Sequence, residues 1–203
     1  MAATSGNRRY VPAVRRIIGI GVVVVALAGC SADPLAEQYG GGGETGYVSG
    51  DGAYLELPPE QRDGPVQFEG TDEFGDEVTS EQFADTVTVV NFWYAGCPPC
   101  RLEAPDLAAV ANDYGDVAFL GVNTLDGADV ALRFAEDNDI PYRSVLDAST
   151  ASVQLAFAGT VAPNAVPTTL ILDREGRVAG RISGLIADRS ILESMIDRVL
   201  AEG

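Results

Sequence analysis

The chain contains no histidine and no lysine, only three cysteines, two methionines and one tryptophan. Without histidine there is no Ser-His-Asp or Cys-His catalytic unit and no His-ligated haem or copper. A structural zinc site needs four Cys or His ligands, which three cysteines cannot supply. Arginine accounts for all thirteen basic residues, against thirty acidic ones, for a net charge of −17. A surface of that sign is repelled by a phosphate backbone, so nucleic acid is excluded as a partner, and basic or neutral docking surfaces are favoured. Long apolar runs are scarce as well. The longest, Ile17 to Ala28, has twelve residues, too few to span a bilayer comfortably.

What is present begins with that run. Arg8, Arg9, Arg15 and Arg16 precede it and no acidic residue does, the pattern of a signal peptide. It ends in Leu27-Ala28-Gly29-Cys30, which resembles a bacterial lipobox and implies cleavage before Cys30 and lipidation of that cysteine. An uncleaved anchor is the alternative. Either places the remainder outside the cytoplasm, tethered to the outer face of the cytoplasmic membrane. Residues 30–64, with Gly40 to Gly43 at their centre and no apolar periodicity, read as a flexible tether after the signal peptide of residues 1–29. Residues 65–203 then form one domain.

Within that domain Cys97-Pro98-Pro99-Cys100 follows the apolar run Val87 to Tyr94. A strand thus delivers two cysteines, three residues apart, to the start of a helix. The spacing lets the sulfurs close one small ring, and the unpaired amides of the helix N-terminus favour a thiolate on the first. A thiolate with a neighbouring thiol is the apparatus of disulfide exchange. A purely structural disulfide across two residues would restrain little chain.

The elements predicted around it are a hairpin of Val66–Phe68 with Glu77–Thr79, a short helix over 80–83, the strand 87–93, and a helix over 98–114 with Leu102, Leu107, Val110, Ala111 and Tyr114 inward. A strand over 117–123, a helix over 129–138 with Val130, Leu132 and Phe134 inward, a strand over 142–146 and a helix over 150–157 follow. Thr168–Leu172 and Val178–Ile182 form an antiparallel hairpin, and Asp188 caps a last helix with Ile191, Met195, Val199 and Leu200 at helical spacing. The order is βαβ then ββα, with a hairpin before and an insertion between: an α/β domain with a mixed central sheet flanked by helices.

Val89-Val90-Asn91-Phe92-Trp93, Cys97-Pro98-Pro99-Cys100, Glu103, Pro105, Gly121-Val122-Asn123, Val166-Pro167-Thr168-Thr169 and Leu172-Asp173-Arg174-Glu175-Gly176 together resemble the thioredoxin fold. Within it they resemble the membrane-tethered TlpA/ResA-like thiol-disulfide oxidoreductases of cytochrome c maturation. The resemblance implies an exposed attacking Cys97, a more buried resolving Cys100, and a cis Pro167 facing the disulfide. Val166 would pair with an extended substrate segment, with Trp93 as a wall of the site. Glu103, one turn beyond Cys100, matches an acidic residue that exchanges the thiol proton. No cofactor and no metal is implied. The implied substrates are disulfides of exported proteins such as apocytochrome c, and the implied electron source is a membrane thiol donor of the CcdA/DsbD type.

Three positions depart from the pattern. Asn91 stands where thioredoxin has a buried aspartate, Gly96 where many relatives have tryptophan, and Pro98 beside Pro99 removes a second amide donor. Two other functions share the same residues. One is an oxidase that forms disulfides in exported proteins; the other is a copper(I)-handling lipoprotein using the two thiols as soft ligands.

Overall fold

The structure, a computed structural model, describes residues 47–50, 52–159 and 166–203. The expected signal peptide of residues 1–29, Cys30 and the Gly40–Gly43 stretch lie outside the described residues.

Thr88–Trp93 (β5) is an interior strand of a seven-stranded sheet. Every residue of it is buried, which explains why it reads as a continuous apolar run rather than an alternation. Ala118–Asn123 (β6) pairs parallel with β5, and Ser144–Leu146 (β7) parallel with β6. On the other side Thr168–Leu172 (β8) and Val178–Ser183 (β9) add antiparallel strands. Tyr54–Glu56 (β2) and Tyr47–Val48 (β1) complete the order β1-β2-β9-β8-β5-β6-β7. A separate hairpin joins Glu69–Thr71 (β3) to Glu77–Thr79 (β4). The helices are α1 (Pro98–Asp113), α2 (Ala128–Asp137), α3 (Ser152–Ala156) and α4 (Arg189–Leu200).

The period of two along the strands divides the core. Val89, Ile171 and Ile182 face Leu107 and Val110 of α1 and Leu192, Met195, Ile196 and Val199 of α4. Val90, Phe92, Leu120, Val122 and Leu170 face the opposite side, against Phe68, Val78, Val153 and Phe157. Asp188 caps α4 by accepting from Ser190 N at 2.9 Å. The crossover β5-α1-β6 and the hairpin β8-β9 followed by α4 are the two expected halves, and α2, β7 and α3 are the insertion.

Three expectations need correction. The domain does not begin at residue 65. β2 pairs with β9 through Tyr54–Ile182, Leu55–Arg181 and Glu56–Gly180, and Arg62 ties the following turn down. Its side chain is 2% exposed and reaches Asp173 and Glu202, at 2.9 and 2.6 Å. Residues 47–50 and 52–64 are therefore part of the folded unit, held by backbone pairing that short edge strands do not announce in their composition. The first strand of the small hairpin is Glu69–Thr71 rather than Val66–Phe68, because Phe68 turns into the core against Phe83 and Phe157. Leu102 and Val130 point outward, 69% and 47% exposed. The buried stripe of α1 runs through Cys100, Glu103, Ala104, Leu107 and Val110, and a residue two positions along a helix from Cys100 lies off that face. In α2 the buried pair is Ala131 and Phe134.

Candidate active site

β5 ends at Trp93, and the turn Tyr94–Gly96 carries the chain to Cys97, the N-cap of α1. The sulfur of Cys97 accepts from Cys100 N at 3.2 Å, and Cys97 N donates to Tyr94 O at 3.1 Å. Pro98 and Pro99 occupy the first helical turn, where a missing N–H leaves no intrahelical bond unmade. Cys100 N is thereby the first amide after the N-cap available to the sulfur. Cys97 and Cys100 are joined as a disulfide with their Cα atoms 5.3 Å apart.

Both cysteines are buried, 2% and 3% exposed. The expectation of an exposed Cys97 does not hold in this disulfide form. The sulfurs lie in an apolar cluster with Trp93, Ala104, Ala131 and Phe134, with Tyr94 and Val166 at its margin. Trp93 is itself 6% exposed, so its indole walls the sulfurs from within and offers little surface to a substrate. Its ring centroid is 4.4 Å from that of Phe134, and its Nε1 donates to Ser144 Oγ at 3.2 Å.

The Val166–Pro167 bond is cis. Thr168, the next residue, pairs with Phe92, which places Pro167 beside the end of β5 where the disulfide loop begins. Pro167 O accepts from Gly184 N at 2.9 Å.

Glu103 is 1% exposed. Its Oε1 accepts from Asn91 Nδ2 at 3.1 Å and its Oε2 from Ile186 N at 3.0 Å. The same amide of Asn91 donates to Thr169 Oγ1 at 3.0 Å. Burial pushes the Glu103 carboxyl up to about 7, and the donors on Ile186 and Asn91 hold it from rising further. Asn91, at the place of thioredoxin's aspartate, is thus a donor that positions a carboxylate arriving from α1. A cavity of about 10 Å³ is bordered by Asn91, Cys100, Tyr142 and Trp93 among others, about the space one water needs.

Asn123 and Asp126 also belong to the site, and sequence reasoning missed the second. Asp126 Oδ2 accepts from Ala95 N at 2.6 Å and from Asn123 Nδ2 at 3.0 Å. Asn123 Oδ1 accepts from Leu125 N and Asp126 N, at 3.1 and 2.7 Å. This Asx turn after β6 grips the loop leading to Cys97. Its signal was the spacing Asn123-Thr124-Leu125-Asp126 at a strand end. Leu102, Leu125 and Leu185 are exposed. They stand respectively two residues after Cys100, beside Asp126, and between the residues that bond Pro167 and Glu103. Among the described residues no helix is long and apolar enough to cross a membrane.

Comparison with known proteins places this arrangement. Residues 63–181 match the AhpC/TSA family, and the chain belongs to that family. It is similar to the thiol:disulfide interchange protein HelX of Rhodobacter capsulatus, 31% identical over 57% of this chain and 61% of HelX. It is likewise similar to a DsbE homologue of Paracoccus denitrificans, 31% identical over 57% of this chain and 59% of that protein. The match therefore spans about three fifths of the length of these relatives. Among solved structures, a DsbF homologue from Corynebacterium diphtheriae superposes with a TM-score of 0.64 at 25% identity, covering 76% of this chain and 98% of that one. A secreted thiol-disulfide isomerase from Corynebacterium glutamicum shares the fold, with a TM-score of 0.63 at 22% identity. The fold is thioredoxin-like.

Proposed function

We propose that the protein is an extracytoplasmic thiol-disulfide oxidoreductase that reduces disulfides in exported proteins. The observation that carries the reading is the Cys97–Cys100 disulfide at the N-terminus of α1, with an amide on the Cys97 sulfur. The buried Glu103 one turn further on supplies a proton acceptor. In the reduced protein the Cys97 thiolate attacks a substrate disulfide, forms a mixed disulfide and releases one substrate thiolate. Cys100 then gives its proton towards Glu103 and attacks the Cys97 sulfur. The second substrate sulfur leaves as a thiolate; it takes up the proton handed to Glu103, and the first takes one from solvent, to which Cys97 had lost its own. Substrate gains two electrons and two protons, and Cys97–Cys100 is left oxidised. A carboxyl near 7 suits that transfer, since it can hold or release the proton at working pH.

The resemblance implies apocytochrome c as substrate and a CcdA/DsbD-type membrane thiol donor as the source of electrons, and the similarity to thiol:disulfide interchange proteins supports disulfide-containing substrates. The lipobox-like Leu27-Ala28-Gly29-Cys30 supports attachment to the membrane through a lipidated Cys30. The exposed Leu102, Leu125 and Leu185 fit a substrate presented as an extended, unfolded segment beside Val166 and Pro167.

The testing experiment is the equilibrium reduction potential of the Cys97–Cys100 pair. A value near thioredoxin's, around −270 mV, is expected for a reductant. A value around −120 mV would overturn that direction and assign disulfide formation instead. Cys97→Ser is expected to abolish turnover of a model disulfide, and Cys100→Ser to accumulate mixed disulfides visible on a non-reducing gel. Turnover by Cys97→Ser at the parent rate would rule out the mechanism.

A further inference from the structure

The turn between β3 and β4 docks on the outer edge of the main sheet. Asp72 bridges to Val145, and its Oδ2 pairs with Arg143 at 2.9 Å. Asp72 Oδ1 accepts from Phe74 N and Asp76 N, both at 2.9 Å, which closes the turn. Glu73 follows, 7% exposed. Its backbone N donates to Ser144 O at 3.2 Å and its Oε2 accepts from Ser144 N at 2.7 Å. Ser144 is gripped from both sides of its backbone, and its Oγ in turn accepts the indole N–H of Trp93 at 3.2 Å.

Burying a carboxylate is a costly way to satisfy one backbone amide, which a carbonyl or a water would satisfy as well. Burial indeed pushes the Glu73 carboxyl up. The arrangement gains its meaning from what Ser144 holds. There is no slack behind the pair: a Cβ added at Gly121 would lie 2.1 Å from Ser144 Oγ and 2.9 Å from Trp93 Nε1. The indole so fixed lies against Phe134, the two rings tilted by 32°, and shares a cluster with both sulfurs.

We propose that Glu73, in the hairpin outside the main sheet, and Ser144, on the edge strand β7, are positioning residues for thiol-disulfide exchange, together holding the Trp93 indole beside the Cys97–Cys100 sulfurs. The inference rests on the redox reading above. An indole held in place keeps water from the sulfurs and disfavours thiolate; an indole set free admits water and favours thiolate, and with it the reduced form. Releasing either grip therefore shifts the dithiol–disulfide equilibrium towards dithiol.

The test equilibrates wild type, Ser144→Ala, Glu73→Ala and Glu73→Gln with mixtures of reduced and oxidised glutathione. The reduced fraction is read by thiol alkylation. The indole N–H resonance is followed in parallel, and it is unambiguous because the chain has one tryptophan. Ser144→Ala and Glu73→Ala are expected to move the indole resonance and to shift the equilibrium about three-fold or more towards dithiol, the low end of coupling between contacting residues. Glu73→Gln keeps an acceptor for Ser144 N and is expected to behave as wild type. An unchanged equilibrium in Ser144→Ala with a displaced indole resonance overturns the proposal. So does Glu73→Gln shifting as far as Glu73→Ala. If Glu73→Ala does not fold, Ser144→Ala decides, since it retains both backbone bonds to Glu73. A wild-type protein that does not exchange with glutathione at all overturns the redox reading itself, a result distinct from exchange that the variants leave unmoved.

Discussion

Glu103 carries two consequences at once. With its carboxyl raised from 4.5 to about 7 in the folded protein, the fold holds a proton that the unfolded chain releases from about pH 4.5 upward. The stabilisation from that proton is complete below the unfolded value and is lost as pH rises towards 7. A shift of that size corresponds to about 3 kcal/mol. Urea denaturation of the oxidised protein should show Glu103→Gln gaining stability relative to wild type between pH 4.5 and 7.5, by up to about 3 kcal/mol. Parallel pH profiles for the two proteins would mean that folding leaves the Glu103 carboxyl unshifted. On the proposed mechanism the same substitution removes the proton acceptor from the Cys100 step, so any gain in stability should come with slower resolution of mixed disulfides. Stability and catalysis oppose one another at one side chain.

At the scale of elements, the chain's legibility follows the strength of its periodicities. β5, β6, β8 and β9 could be placed within a residue or two because a strand covered on both faces is apolar throughout. The cysteine motif and the proline before β8 could be placed because few structures require such residues in such order. β1 and β2 could not: strands of two and three residues leave no pattern, and a Gly- and Pro-bearing context disguised them as a tether. The exposure of Cys97 was equally hidden, since it depends on Ala131 and Phe134, which the sequence places more than thirty positions away. Glu103 was legible as a candidate, but its partner Ile186 was not, because it is brought close only by the packing of α1 against the β9–α4 connection. A protein begun at residue 65 would lose β2, expose the edge of β9 and strand Asp173 without Arg62. Compared with one begun at Tyr47, it is expected to melt at lower temperature and to self-associate in sedimentation velocity. Equal melting temperatures would mean that the arm adds nothing to the fold.

For the whole molecule, a net charge of −17 without a single lysine sets how partners approach. Long-range attraction is screened by salt. Exchange with a cationic disulfide peptide should slow as salt is raised from about 10 to 150 mM, whereas exchange with an anionic peptide should accelerate. Rates for both peptides that move together with salt would place the effect on folding rather than on encounter.

The strand order also fixes where the described chain enters the sheet. Tyr47 lies in register with Glu56, Gly180, Ile171 and Val89. It is therefore four strand positions across the sheet from β5 and four residues back along it from Trp93. With strands about 4.8 Å apart and about 3.3 Å per residue, that is roughly 19 Å sideways and 13 Å behind the disulfide end. On the proposed attachment through Cys30, a pull entering there would act on the domain off its centre and from the rear. The disulfide would then travel at the tip of a lever, turned outward to whatever approaches, and every reorientation about the pivot would sweep it through an arc that a site close to the point of attachment would not cover.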